Sequence, residues 1–286
     1  MVFEILQFGF MQHALISGAA ISLVCSVVGL FLVLRRHSLF GDAMSHVAFG
    51  GIAIGLFTKV YPIWTAFIVS VLAAIGITKL REFTKIPADS AVALLLSSGL
   101  AVGVVLISLS NGFTLDLYSF LFGSILLISI QDMVTSIALC AAVLIVISIV
   151  YRKLMYITFD EEQAKVSGLD VGKLNYLFVV LASITVITSI RLVGVLLISS
   201  LIVIPNITAM MFGKGFKKTA LISALVGVFS VLSGITISYV TNLSPGGTIV
   251  LISIGTFLAT VASKYSMMLI KGKGEKLVTS MVDQKQ

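Results

Sequence analysis

Two strongly apolar segments meet at the stretch Arg35-Arg36-His37-Ser38-Leu39-Phe40-Gly41-Asp42-Ala43-Met44-Ser45-His46. This stretch carries an acid and an imidazole four residues apart, so a helix would place Asp42 and His46 on one face, one turn apart. An Asp in the middle of a bilayer-spanning helix costs about 2.5–3.5 kcal/mol on insertion scales. Because the pair is costly in an apolar setting, the sequence marks it as a candidate functional site.

Composition places the chain among integral membrane proteins. Of its 286 residues, 58% are hydrophobic and 11% are charged, and the mean hydropathy is +1.15. Soluble domains carry about 25% charged residues. We therefore predict an all-α, polytopic transmembrane bundle with one domain over residues 1–270 and a disordered basic tail over 271–286. The formal charge of +7 does not indicate a nucleic-acid partner, because the basic residues are spread over short loops.

Apolar runs near the ~20 residues that cross a bilayer recur from one end of the chain to the other. We expect eight or nine spans in contact with the lipid bilayer, and the segments below are the candidates. They are Ala14–Leu34, Phe40–Phe57, Tyr61–Thr78, Asp89–Leu109, Ile128–Tyr151, Leu174–Ser189, Leu192–Phe212, Ala220–Tyr239 and Thr248–Ser263.

The distribution of lysine and arginine predicts the orientation of these spans. Of the 19 basic residues, all except Lys59 and Arg191 fall on one side of the predicted bundle. Cytoplasmic loops carry the excess of basic residues in membrane proteins. We therefore expect the N-terminus outside and the C-terminus, with its basic tail, in the cytoplasm.

The segment Leu115–Ile130 is apolar enough to suggest a further crossing. A crossing there would move every later loop to the opposite side of the membrane. Arg152, Lys153 and the loop 214–218 would then lie outside. We interpret the segment as a re-entrant or interfacial helix on the outer side, which is tolerated where the backbone is buried in protein or lines a cavity.

Two charged loops on the predicted cytoplasmic side are candidates for contact with a partner. The residues that stand out in them are Asp160, Glu161, Glu162, Ala164 and Gly168 in the first loop, and Lys214 and Lys217 in the second. A solvated connector is the ordinary interpretation of such charge runs. Docking of a cytoplasmic partner is the alternative.

A nucleotide-binding loop is not indicated. The nearest approach is Gly168-Leu169-Asp170-Val171-Gly172-Lys173-Leu174. Its glycine spacing differs from that of a P-loop, and Leu174 stands where a hydroxyl should bind magnesium. We predict no permanently bound cofactor and no enzymatic activity in this chain. If ATP drives the protein, another subunit must hydrolyse it.

Four stretches, spread over most of the chain, match one family of transport proteins. They are Leu34–His46, Phe159–Gly168, Val193–Ala209 and Ser244–Leu251. On these motifs, which are specific only in combination, the chain resembles the membrane permease subunit of zinc, manganese and iron ABC importers. This is the ABC-3 family, which is supplied by cluster A-I binding proteins. One departure is Asn206, where a small residue such as Ala is more usual.

The resemblance implies a homodimer in a prokaryotic plasma or inner membrane, joined by cytoplasmic ABC ATPase subunits and an extracytoplasmic metal-binding protein. It implies that Asp42 and His46 line the translocation path and contact the metal. It also implies that the two charged loops couple the permease to the ATPase.

The chemistry of the pair agrees with a transported divalent metal. A carboxylate oxygen and an imidazole nitrogen suit Zn²⁺, Mn²⁺ or Fe²⁺, and the histidine favours Zn²⁺ slightly. Two copies of the chain would offer two Asp and two His to one ion. An incomplete site suits transport, because the ion must be released again.

Alternative interpretations remain open at this point. Both residues could have purely structural roles. Asp42 could serve to cap its helix, and His46 could serve to donate a hydrogen bond to a carbonyl of a neighbouring helix. A gradient-driven secondary transporter could use the pair as a proton relay, although no inverted repeat relates the two halves of the sequence. A membrane enzyme with a bound metal would need more ligands than three histidines and scattered acids provide.

Overall fold

The computed structural model describes residues 8–110, 115–124 and 128–283, and every regular element in these ranges is a helix. The helices are α1 Gly9–Leu34, α2 Phe40–Thr58, α3 Pro62–Thr84, α4 Ala88–Leu109, α5 Leu115–Phe122, α6 Ile130–Phe159, α7 Glu161–Val166, α8 Val171–Val193, α9 Ile198–Met210, α10 Phe216–Thr241 and α11 Pro245–Asp283. The predicted all-α membrane bundle is confirmed. Among the described residues, eight helices are long and apolar enough to cross a bilayer.

The predicted seventh span, Leu192–Phe212, is not one continuous helix. Its first residues complete α8, the chain then turns at Gly194, and α9 begins only at Ile198. With 13 residues, α9 is about 20 Å long, which is shorter than the ~30 Å hydrocarbon core. The backbone N–H groups of Val195 and Leu196 donate to carbonyls of α5 at 2.9 and 3.3 Å, so the non-helical turn keeps its hydrogen bonds.

The short helix α5 lies in the segment predicted to be re-entrant or interfacial. It has 8 residues, too few to cross a bilayer. Its last turn accepts hydrogen bonds from the turn after α8. Ser129 and Asp132 then form a reciprocal capping box that starts α6. The segment therefore does not add a crossing among the described residues.

The centre of the bundle is formed by α1 and α2. In their most apolar 18-residue windows, 67% and 72% of residues are buried, against at most 33% in α3, α4, α6, α10 and α11. Small residues allow this packing, among them Gly50, Gly51 and Gly55 of α2. A side chain on Gly51 would lie 2.6 Å from the Cα atom of Ala66, and α3 therefore approaches α2 closely.

One end of the bundle gathers most of the basic residues and is called the basic end below. Side-chain contacts bring its helix ends together: Tyr151 and Phe216 stack edge to face with ring centroids 5.6 Å apart. The Tyr176 hydroxyl donates to Glu82 at 2.9 Å. The C-terminal parts of α3 and α6 and the first turns of α8 and α10 therefore share one face of the molecule.

Candidate functional site

The helix α2 presents Asp42 and His46 from its first two turns. It follows a tight turn in which the His37 backbone N–H donates to the Leu32 carbonyl at 2.9 Å and Arg36 has a φ of 59°. Most of α2 is buried among its neighbours, whereas Asp42 and His46 retain 30% and 15% of their side-chain exposure. The pair therefore faces accessible space from an otherwise buried helix.

The distance between the two side chains suits a shared cation better than a direct hydrogen bond. His46 Nε2 lies 3.9 Å from Asp42 Oδ1, which is too long for a hydrogen bond. Zinc bonds to imidazole nitrogen and carboxylate oxygen are about 2.0–2.2 Å each. Because two such bonds span up to about 4.2 Å, one ion between these atoms can contact both.

The two structural alternatives for the pair do not fit the geometry. The helix begins after Leu39, and no side chain caps it with a hydrogen bond. Asp42 lies in the first turn, where the helix dipole stabilises a negative charge. The buried Nδ1 atom of His46 has no hydrogen-bond partner among the described residues. Neither capping by Asp42 nor a bond from Nδ1 to a neighbouring carbonyl accounts for the pair.

One copy of the chain supplies an incomplete set of metal ligands. Within the described ranges, no cluster of three or more His, Cys, Asp or Glu side chains is close enough together to hold a metal ion. Structural metal sites for Zn²⁺ usually have four ligands. Asp42 and His46 of one copy are therefore fewer ligands than a structural zinc site usually has.

Gly99 on α4 is a positioning residue that the sequence interpretation missed. A Cβ atom at this position would lie 2.5 Å from the Val47 nitrogen and 2.6–2.7 Å from the carbonyl group of His46. The backbone of α4 therefore lies directly against the turn of α2 that carries the imidazole. The spacing of Gly99 and Gly103, four residues apart, is the sequence signal that could have indicated this close approach.

The first charged loop folds into the short helix α7, which lies at the basic end. Asp160 caps it by accepting from the Gln163 N–H at 2.9 Å, and Glu161 pairs with Lys165 at 2.9 Å. Ala164 is fully buried in a small apolar cluster with Ile157 and Val171, which anchors the helix.

The outer side of α7 is open. Glu161, Glu162 and Val166 are exposed, and Val166 retains 90% of its accessible surface. Gly168 ends the segment with a φ of 79°, a conformation that favours glycine. The helix thus presents two acids and one apolar side chain on a fixed support.

The second charged loop also lies at the basic end. Lys214 and Lys217 are exposed, and the Lys214 carbonyl accepts a hydrogen bond from Thr219 at 3.0 Å. Phe216, between the two lysines, packs on Phe31 and Tyr151 with ring centroids 5.0 and 5.6 Å away. The structure therefore places both predicted loops on the same face, while Asp42 and His46 lie on a separate helix.

Arg35 connects the end of α6 and the start of α8 with the turn that leads to the pair, a role that the sequence did not indicate. Its guanidinium donates to Thr158 at 3.0 Å and to Asn175 at 2.9 Å, and it lies 4.7 Å from the ring centre of Phe178. Burial lowers the pKa of Arg35 to about 10, and the charge of Glu161 opposes that shift. Arg35 thus joins the ends of α1, α6 and α8.

Comparison with known proteins agrees with this fold. Residues 7–264 match the ABC 3 transport family. The manganese import system permease protein ScaB of Streptococcus gordonii is 35% identical over 89% of this chain and 91% of its own length. The manganese transport system membrane protein MntC of Listeria innocua is 31% identical over 87% and 89%. The structure titled PsaBC from Streptococcus pneumoniae in complex with Fab superposes with a TM-score of 0.81, at 33% identity, covering 91% of this chain and 95% of that one.

The chain belongs to the ABC 3 transport family. It is the membrane permease subunit of a metal ABC importer and a multi-pass protein of the plasma membrane. Permeases of this family work with a separate ATPase subunit and a substrate-binding protein. The gradient-driven secondary transporter is therefore not favoured.

Proposed function

We propose that Asp42 and His46 contact the transported metal ion on its way through the membrane. The observation that carries this proposal is the 3.9 Å separation of the two ligand atoms on a partly exposed face of a buried helix. Two copies of the chain, related by a twofold axis along the path, would bring four ligands to one ion. Weak, incomplete coordination favours both entry and release.

We propose Mn²⁺ as the cargo. The histidine alone favours Zn²⁺ slightly, but the carboxylate suits Mn²⁺ and Fe²⁺ as well. Relatives at 31–35% identity are named for manganese. Two ligands from each copy also leave room for water, which Mn²⁺ keeps readily in oxygen-rich coordination.

A strain that lacks this chain is expected to grow poorly when Mn²⁺ is scarce and to recover when Mn²⁺ is added. Zn²⁺ and Fe²⁺ at the same concentration should not restore growth, because the deficit lies in the uptake of one metal. Growth yield against added metal, with the intact strain as reference, measures this. Recovery with Zn²⁺ alone would contradict manganese as the cargo and support the zinc interpretation.

We infer that the basic end faces the cytoplasm, with one domain over residues 1–270 and a cytoplasmic basic tail over 271–286. The excess of lysine and arginine at that end supports this orientation. Helix α7 and the loop with Lys214 and Lys217 would then contact the ATPase. Their exposed charged side chains on anchored backbone suit such a docking surface, because little conformational freedom is lost on binding.

The orientation predicts which introduced cysteines react from outside the cell. Lys165→Cys and Lys217→Cys should react with a membrane-impermeant maleimide only after cells are permeabilised. Lys59→Cys, in the opposite loop, is the matched control and should react in intact cells. The native Cys25 and Cys140 are free but buried, so their background labelling should be low. Labelling of Lys165→Cys in intact cells would overturn the proposed orientation.

A further inference from the structure

A cavity of about 580 Å³ opens among the helix ends at the basic end. Its lining comes from α1, α2, α3, α4, α6, α7 and α8, and it includes neither Asp42 nor His46. The size lies within the range of about 300–1,000 Å³ that is usual for small-molecule sites.

The charge of the lining is positive. Four cationic side chains, Arg35, Arg81, Lys85 and Lys165, line the cavity together with two carboxylates, Glu82 and Glu161. Both carboxylates already have partners, since Glu82 accepts from Tyr176 and Glu161 pairs with Lys165, each at 2.9 Å. Four cations and two carboxylates leave the lining with two positive charges in excess.

Two buried guanidinium donors in this lining lack acceptors. Arg35 Nη2 and Arg81 Nε are buried, and neither has a hydrogen-bond partner among the described residues. A buried donor without an acceptor is unfavourable, so these two N–H groups favour an incoming oxygen ligand. The planar guanidinium matches the oxygens of carboxylate and phosphate groups, which it can bind through two parallel bonds.

His37 lines the same cavity as the two arginines. Burial lowers the pKa of His37 below its usual range, and the nearby charges of Arg81 and Arg35 lower it further, against the opposing charge of Asp89. A neutral imidazole there adds no charge to that of the two arginines. The lining also contains apolar side chains, among them Leu32, Ile77 and Leu95.

We propose that this cavity binds a phosphate group, carried either by an anionic lipid of the inner leaflet or by free phosphate. The proposal uses the orientation proposed above but is independent of the metal site. In that orientation the helix ends lie at the level of the lipid headgroups, where basic pockets between transmembrane helices bind anionic headgroups. The mixed lining suits a ligand with a charged head and an apolar body.

Native mass spectrometry of the full transporter, purified with its ATPase, tests the proposal with two probes. In mixed detergent micelles, the parent should retain phosphatidylglycerol about tenfold over phosphatidylcholine, and Arg81→Gln should lower that retention about fivefold or more. Lys79→Gln is the matched control, because it removes the same charge from the same helix outside the cavity lining. It should leave the retention unchanged.

Titration of lipid-free transporter with inorganic phosphate distinguishes the two sources. Binding of phosphate that Arg81→Gln abolishes would assign the site to the free anion, and lipid retention without phosphate binding would assign it to the headgroup. If Arg81→Gln does not fold, two other variants replace it. Lys85→Gln removes a positive charge at an exposed position of the lining, and Val92→Phe fills the cavity. Both should lower binding. Equal binding of both probes by the parent and these variants would overturn the proposal. Neither readout requires transport, so failure of the metal site would not affect the result.

Discussion

His46→Ala is expected to reduce metal uptake per inserted molecule by at least about tenfold, and Asp42→Ala should do the same. Loss of a group that only orients a metal ligand usually costs about 10–100-fold in affinity or activity, and loss of a ligand itself should cost at least as much. Asp42→Asn should be nearly as damaging, although it changes the side-chain size little, because it removes the negative charge that attracts the cation. Uptake of radioactive Mn²⁺, normalised to the amount of inserted protein, measures the effect.

Two control variants separate the metal role from a structural role. Asp89→Asn removes an acid from the first turn of α4, as Asp42→Asn does in α2, and therefore reproduces the loss of the helix-dipole interaction. His13→Ala also replaces a histidine by alanine, but near the start of α1, at the end of that helix away from the turn that leads to α2. Both controls should keep near-normal uptake per molecule. A purely structural pair would lower the abundance of the Asp42 and His46 variants while each inserted molecule transported at the parental rate.

The spans were predictable because a bilayer leaves a chain few choices. Backbone groups in hydrocarbon must be hydrogen-bonded within the segment or to buried protein groups, so most runs of about 20 apolar residues form helices. The pairing of Asp42 with His46 followed from helical spacing for the same reason. The close packing at Gly51 and Gly55 was also predictable, because small residues four apart on one helix allow a neighbouring helix to approach.

Features that depend on contacts between distant parts of the chain were not predictable from local patterns. The chain leaves the helical conformation between α8 and α9. This break depends on hydrogen bonds from Val195 and Leu196 to α5, which is far away in sequence. Arg35 meets Thr158 and Asn175, which follow it by 123 and 140 residues. A single sequence shows the donors and acceptors but does not show which of them meet.

Gly99→Ala should destabilise the protein, although the same change stabilises most helices. In an open helical position, replacing glycine by alanine gains about 1 kcal/mol of helix propensity. At Gly99, the new Cβ would lie 2.5–2.7 Å from backbone atoms of His46 and Val47, which no change of side-chain rotamer can relieve. Overpacking of this kind typically costs about 1–3 kcal/mol, so the melting temperature should fall. Gly99→Val should lower it further.

Gly76→Ala on α3 is the matched control, because nothing lies within 4 Å of its Cβ position. It should leave the melting temperature unchanged or raise it slightly. Since the atoms that must move at Gly99 belong to the backbone of His46, uptake per inserted molecule should also fall in Gly99→Val and remain normal in Gly76→Val. Thermal unfolding in detergent and normalised Mn²⁺ uptake provide the two measurements. A rise in melting temperature for Gly99→Ala equal to that for Gly76→Ala would show that α4 does not lie against the histidine turn, and the positioning role of Gly99 would be wrong.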